Sequence, residues 1–241
     1  MTTTDLNVDL EEIKARLIAK LGPSGWATKL RGFVQSSDFS KTLETLYSLR
    51  KDGKRFTPPL KYVFRGLEEC PLDELKVVII GQDPYPYLNV ADGIAFSCGL
   101  TGKPQPSLQK IFEEIEKTVY QGFPTHQDPD LTRWSKQGVL LINTALTCQV
   151  DKAGSHYDIW QPFLNYLIDM LSLTSSGLIF CLLGAKAQEF EGLITPSHYV
   201  LKASHPASAA YNKGTWDSGD MFNQINEILT KNNGPQYTIN W

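Results

Sequence analysis

The chain has 241 residues and a mass of 27.0 kDa, with 41% hydrophobic, 20% charged and 11% aromatic residues. This is ordinary globular usage, which excludes wholesale disorder and fits one large domain or two small ones. Lys and Arg number 23 against 26 Asp and Glu, a formal net charge of −3, so bulk charge points to no polyanion and any such site must be a local patch.

The first residues, MTTTDLNVDLEE, are polar and acidic. They lack the basic and apolar regions of a signal peptide, and they are too acidic for a transit peptide. Leu10, Ile13, Leu17 and Leu21 recur at helical spacing until Gly22-Pro23 stops the run. The segment 1–20 therefore reads as a helical extension. Phe39, Leu43, Leu46, Tyr47 and Leu49 predict a second helix, with Ser37 or Asp38 as its N-cap. Thr57-Pro58-Pro59 breaks the chain again.

From residue 76 the pattern changes. Four short apolar runs, at 76–80, 139–142, 178–183 and 199–201, alternate with helical stretches at 107–120, 160–173, 185–191 and 221–231. Strands alternating with helices predict a single α/β domain, a three-layer α/β/α sandwich around a mostly parallel four-stranded sheet. No linker rich in Gly, Ser or Pro divides residues 1–241. The longest unbroken apolar run, 177–185, is about half of what a membrane-spanning helix needs. Cys70, Cys98, Cys148 and Cys181 are far apart and form no C-x-x-C. They read as reduced core residues in a reducing compartment.

In parallel sheets, ligands bind beyond the carboxyl ends of the strands. Gly81-Gln82-Asp83-Pro84-Tyr85-Pro86 follows the first strand, and its two prolines stiffen a loop that aims Asp83 and Tyr85. Asn143-Thr144 follows the second strand, Gly184-Ala185 the third, and Ala203-Ser204-His205-Pro206 the fourth. A carboxylate, an amide, a glycine turn and an imidazole thus converge on one rim. No G-x-S-x-G elbow, P-loop or G-x-G-x-x-G is present, which argues against a serine hydrolase, a nucleotidase and a dinucleotide enzyme. His126 and His198 have no companion at ligand spacing, and His156 reads as a loop residue with a surface or structural role. No metal or cofactor is expected.

At these motifs the sequence resembles the uracil-DNA glycosylases of the uracil-N-glycosylase type (family 1), from about residue 21 to the end. GQDPY at 81–85 resembles the family's water-activating loop, and Gly93-Ile94-Ala95-Phe96-Ser97 its G-L-x-F-S segment. Pro104-Gln105-Pro106-Ser107-Leu108 resembles its proline-rich loop, and the stretch from Trp134 to Asn143 its W-A-x-Q-G-V-L-L-L-N. Gly184 with Ala187-Gln188 resembles its G-S-x-A-Q turn, and His205-Pro206 opens its H-P-S-P-L loop.

The resemblance implies hydrolysis of the bond between uracil and deoxyribose in DNA, with the base flipped from the stack. Asp83 and His205 would be catalytic. Asp83 would orient water and stabilise the positive sugar, and His205 would donate to uracil O2. Asn143 would read O4 and N3–H. Phe96 would stack on the ring, Tyr85 would exclude a C5 methyl, and the backbone at Gln82 would assist. Ser107, Gly184, Ala185, Pro206, Ala207, Ser208 and Ala209 would contact DNA, with Lys103, Lys186, Lys202 and Lys213 as a basic rim.

Three positions depart from the family pattern. Pro86 stands for the usual histidine, as in poxviral members; Ala185 stands for a serine; and the intercalating leucine falls on Ala209. Either Tyr211 substitutes as the wedge or the enzyme leans towards single-stranded DNA. The second is expected, because Tyr211 lies past the tip of the presumed loop. The expected partner is uracil-containing DNA, single- or double-stranded, with a proteinaceous inhibitor or a replication partner also open. The expected state is a monomer that does not enter a membrane. It would be intracellular: cytoplasmic in a bacterium, or wherever DNA is replicated in a virus or eukaryotic host. A glycosylase-fold DNA-binding or replication-accessory protein is the alternative, and the intact Asp83 and His205 argue against it.

Overall fold

The computed structural model describes residues 3–241 except His126, with side chains from Leu10 onward. His126 and the first two residues of the 1–20 extension therefore lie outside the described residues. The helices are α1 (Thr3–Lys20), α2 (Trp26–Val34), α3 (Ser37–Lys51), α4 (Arg65–Glu69), α5 (Pro106–Thr118), α6 (Thr132–Ser135), α7 (Tyr157–Thr174), α8 (Ala185–Gln188), α9 (Pro206–Tyr211) and α10 (Met221–Asn233). The strands are β1 (Phe56–Thr57), β2 (Val77–Gly81), β3 (Val139–Asn143), β4 (Cys148–Gln149), β5 (Ile179–Leu183) and β6 (Tyr199–Ala203).

The main sheet has the order β3-β2-β5-β6, and every neighbouring pair is parallel. Its alternation explains the near-continuous apolar runs. Val77, Ile79, Val139, Leu141, Ile179 and Cys181 face one core. Val78, Ile80, Leu140, Ile142, Phe180 and Leu182 face the other. Parallel strands need covered faces, because each crossover lays a helix over the sheet. Leu108, Ile111, Phe112 and Ile115 of α5, with Phe222 and Ile225 of α10, close the first face. Trp26 and Leu30 of α2, Phe39 of α3, and Trp160, Phe163 and Leu167 of α7 close the second. The result is the expected three-layer α/β/α sandwich. All four cysteines are buried free thiols. No helix among the described residues is long and apolar enough to cross a membrane.

Several local expectations change. Leu10, Leu17 and Leu21 are buried, but Ile13 is 43% exposed and the stem of Lys14 takes its place beside Glu11. Leu17 and Leu21 enter the main core, so the N-terminal helix is packed into the molecule rather than appended to it. The N-cap of α3 is Ser36, whose hydroxyl accepts from Phe39 N–H at 3.3 Å. Helix α2 is an addition to the expected elements, with Trp26, Leu30, Phe33 and Val34 buried at helical spacing. Strands β1 and β4 pair antiparallel over two residues each, too short for any sequence pattern.

The strand order places a switch point at β2. The chain leaves β2 for β3 on one side, then returns to β5 and β6 on the other. Loops after β2, β3, β5 and β6 diverge there and leave a crevice.

Candidate active site

A cavity of about 200 Å3 opens at that crevice. Its walls include Gln82, Asp83, Tyr85, Phe96, Asn143 and His205, all six of the residues expected to catalyse or to bind the base. The side chains of Asp83, Tyr85 and His205 are each held by a backbone contact that explains their aim.

Asp83 leaves β2 within the stiff GQDPYP loop. Its Oδ2 accepts from Gly154 N–H at 2.6 Å, and its Oδ1 accepts from the Tyr157 hydroxyl at 3.5 Å. Burial pushes its pKa above the usual carboxylate value, while the Gly154 and Tyr157 donors pull it back. The loop itself is clamped from β3. Thr144 Oγ1 and Ala145 N–H donate to Gln82 O at 2.7 and 3.1 Å.

Asn143 ends β3 beside Gly81. A Cβ on Gly81 would collide with Asn143 Oδ1 and come within 3.0 Å of Phe96 Cζ. Glycine is therefore what lets the amide and the ring meet. The amide makes no hydrogen bond to the described residues, so Asn143 does not cap the strand and its donor and acceptor remain for a ligand.

Phe96 sits at φ 66°, a left-handed conformation unusual for a bulky residue. Its carbonyl accepts from the Tyr85 hydroxyl at 2.9 Å, which fixes both aromatics. Burial lifts the Tyr85 pKa well above its ordinary value. Behind Phe96, fully buried Asp92 binds Arg65 at 2.9 Å and accepts from Ser97 Oγ at 2.7 Å and from Gly99 N–H at 2.9 Å. This network anchors both sides of the strained residue.

His205 caps α9. Its Nδ1 accepts from Ala207 N–H at 3.2 Å. That bond requires an unprotonated Nδ1, so the neutral ring carries its proton on Nε2. Burial lowers the pKa to about 4, so the imidazole is neutral near pH 7. Its ring lies 5.4 Å from that of Phe96, at 33°.

The expected DNA-contacting residues separate into two groups. Ser107 and Ala207 line the cavity, while Gly184, Ala185, Pro206, Ser208 and Ala209 do not. Gly184 is buried at φ 91°, and its N–H donates to Ala203 O at 2.9 Å. A Cβ there would meet Gln82 Nε2 at 2.7 Å and His205 Cβ at 2.8 Å. Gly184 is thus a spacer between two pocket residues, and its N–H is taken. Ala185 is exposed. Ser208 Oγ donates to His205 O at 2.8 Å, and Pro206 is buried.

The presumed loop at 205–210 is helix α9, begun by Pro206 at its first position. This changes the wedge argument. Ala209 packs inward against the core, whereas Tyr211 is 84% exposed and lines the cavity mouth. Tyr211 is therefore at the entrance, not past the tip. In the basic rim, Lys186 pairs with Glu189 and Lys202 with Glu191, both at 2.9 Å. Only Lys103 and Lys213 of the four make no ion pair among the described residues.

Gly154 and Tyr157, which hold Asp83, carry no signal in the sequence, and Tyr211, open there as a substitute wedge, stands at the mouth. His156 precedes α7, and of the surface or structural role expected for it the structural one holds, with the residue 2% exposed. Trp160 Nε1 donates to Thr147 Oγ1 at 2.7 Å, which frees that hydroxyl to donate to His156 Nδ1 at 2.8 Å. His198 is structural too, accepting from Leu178 N–H at 3.2 Å.

Comparison with known proteins gives a consistent result. The model of the Uracil DNA glycosylase superfamily matches residues 67–230. A uracil-DNA glycosylase of Acinetobacter baumannii is 35% identical over 206 residues, covering 85% of this chain and 86% of the relative. The crystal structure of mimivirus uracil-DNA glycosylase superposes with a TM-score of 0.78 at 28% identity, over 88% of this chain and 84% of that one. A tyrosine-to-leucine variant of the mimivirus protein, in complex with UGI, superposes with a TM-score of 0.77 at 28% identity, over 86% and 84%.

Proposed function

The chain belongs to the uracil-DNA glycosylase superfamily, and from that premise we propose how its pocket works. The protein is a DNA repair glycosylase that hydrolyses the N-glycosidic bond of uracil in DNA. It releases free uracil and leaves an abasic site. The observation that carries the mechanism is the convergence of Asp83, Asn143 and His205, from the ends of three parallel strands, on one cavity.

The target base leaves the stack, because its reacting carbon is out of reach in a duplex. In the pocket, Asn143 donates to uracil O4 and accepts from N3–H. Cytosine presents the opposite pair, which leaves buried polar groups unpaired at a cost of roughly 1–3 kcal/mol each. Thymine has the same polar edge as uracil and must be refused by shape. The Tyr85 ring, tied through its hydroxyl, is the wall for the C5 position. Phe96 stacks on the base.

As the bond between N1 and the sugar C1′ breaks, positive charge grows on the sugar and negative charge on the uracil, chiefly at O2. The Asp83 carboxylate, held by Gly154 and Tyr157, stabilises the sugar cation and orients the attacking water. The water oxygen bonds to C1′, and its proton passes to Asp83 and then to solvent. His205 donates from Nε2 to O2. A neutral donor suffices, because the leaving uracil is a stabilised anion. The two-carboxylate arrangement of other glycosidases is therefore not needed.

Ser107, Ala185, Ala207 and Ser208 belong to the DNA-facing rim, with Gly184 shaping it from within and buried Pro206 and inward-facing Ala209 fixing the helix that carries it. Tyr211 is the wedge candidate. Residues 1–241 act as one domain, as a monomer, wherever the DNA of the cell or virus is replicated. The mimivirus complex with UGI supports a proteinaceous inhibitor as a partner. The reading is tested by incubating the protein with oligonucleotides carrying uracil, thymine or cytosine, with EDTA present. Free uracil released from the first alone is the expected result. Release of thymine or cytosine at a comparable rate, or no release at all, overturns it.

A further inference from the structure

The segment at 50–55, RKDGKR, joins α3 to β1 and is exposed throughout. Arg50, Lys54 and Arg55 make no ion pair among the described residues and wall a groove of about 520 Å3. Its apolar side is formed by Phe56, Leu60 and Leu88. Lys51 and Lys61 are exposed nearby in the chain, Lys152 is exposed two residues from Val150, which bonds Arg55, and the cations outnumber the carboxylates of Asp52 and Asp151. In a chain of net charge −3, this is a concentrated patch of the opposite sign.

The groove adjoins the catalytic cavity, because two chain segments wall both. Leu60 lines the groove and Val63 the cavity; Pro86 lines the cavity and Leu88 the groove. Two residues of extended chain reach at most about 7 Å, so a strand leaving the cavity over Pro86 meets the groove at once. The segments are tied together. Val150 N–H donates to Arg55 O at 2.9 Å, and Asp151 N–H donates to Pro86 O at 2.7 Å. Between the two openings Tyr87 is 55% exposed and Leu88 44%.

We propose that the groove walled by Arg50, Lys54 and Arg55 binds the DNA strand that flanks the flipped uracil, with phosphates on the cations and a base over Tyr87 and Leu88. Cations beside an exposed aromatic and an apolar floor match the two needs of an unpaired strand. The groove adds three cations, unpaired among the described residues, to the two, Lys103 and Lys213, that flank Ser107 and α9 in sequence. The inference rests on the glycosylase reading given above.

The test uses the full chain and single-stranded uracil oligonucleotides of two lengths. One extends well beyond the uracil on both sides, and the other is the shortest that is still cleaved. The variants are Arg50→Ala/Lys54→Ala/Arg55→Ala and, separately, Tyr87→Ala. On the long substrate the triple variant should raise KM about tenfold at low salt with kcat unchanged. It should also flatten the log–log salt dependence by about 2, close to 0.7 for each lost phosphate contact on a single strand. Tyr87→Ala should raise KM by about fivefold with the salt dependence unchanged. On the short substrate both variants should match wild type. Equal loss on both lengths, or an unaltered salt dependence in the triple variant, overturns the inference. The second result would leave an acidic protein as the occupant. Wild-type cleavage of the short substrate reports the glycosylase reading independently, so failure of one is distinct from failure of the other.

Discussion

The cavity and its rim are built by different rules. In the cavity, Asp83, Tyr85 and His205 each have a backbone partner within 3.2 Å, and Gly81 and Gly184 are there because a Cβ would push the pocket apart. On the rim, Ala185, Ser208, Tyr211, Arg50 and Lys54 are exposed. Fixed dipoles stabilise a transition state without reorganising, which is the demand on the cavity. A rim that holds a flexible polyanion, as proposed, can use charge and stacking that tolerate looser geometry. Substitutions in the cavity should therefore act on kcat or on the choice of base. Substitutions on the rim should act on KM or on the choice between strand and duplex.

The largest effect should come from the cavity. Asp83→Asn keeps the size and the hydrogen-bonding reach but removes the charge that opposes the sugar cation. We expect kcat to fall by about a thousandfold or more, with KM and DNA binding nearly unchanged. Single-turnover uracil release and a binding titration on an uncleavable oligonucleotide measure the two separately. Near-wild-type turnover would erase the contrast between cavity and rim.

Next come the two groups proposed to read the base. Tyr85→Ala should admit thymine and Asn143→Asp some cytosine, each with uracil release cut by about a hundredfold. The assay is release of each base from otherwise identical strands. If neither variant broadens the range, these two side chains are not the readers.

The wedge sharpens the comparison from the other side. Tyr211 stands exposed at the mouth, while Ala209 faces the core. Tyr211→Ala should lower the duplex to single-strand ratio of kcat/KM by about tenfold, because unstacking a base costs a few kcal/mol and a wedge recovers part of it. Ala209→Leu should leave the ratio unchanged and cost stability by overpacking, about 1–3 kcal/mol. A ratio raised by Ala209→Leu would restore the single-strand preference expected from the sequence.

The same divide separates what was legible in the sequence from what was not. The buried strands declared themselves, because parallel strands covered on both faces are continuously apolar. The residues after them followed directly, so Asp83, Asn143 and His205 could be found together. The rest depended on contacts that leave no local trace. Gly154 reaches Asp83 across 71 residues. Pro206 reads as a breaker but stands at the first position of α9, where its missing N–H costs nothing. That turned a presumed loop into a helix, moved Ala209 inward and brought Tyr211 to the entrance. The groove at 50–55 lies before the first strand of the main sheet, outside the region that a strand-end reading inspects.

The smallest expected effect tests how tightly the cavity controls its own acid. Burial is the main reason that the Asp83 pKa is raised; the Gly154 N–H and the Tyr157 hydroxyl oppose it by donating to the ionised form. In the proposed mechanism Asp83 acts as a carboxylate, so activity should be present above its raised pKa and lost as pH falls through it. Tyr157→Phe removes one donor to the charged form, so the pKa must rise further and the acidic limb of kcat/KM must move to higher pH. The plateau above neutrality should stay where it was, because Gly154 still orients the carboxylate. His205, with a pKa of about 4, is neutral near pH 7, and the substitution does not touch it. Tyr157 Oη lies 3.5 Å from Asp83 Oδ1, a long contact, so the displacement should be modest. The profile of kcat/KM between pH 4 and pH 8 for wild type and Tyr157→Phe decides the matter. A limb that stays put, or moves to lower pH, would mean that burial and Gly154 set the charge of Asp83 without Tyr157.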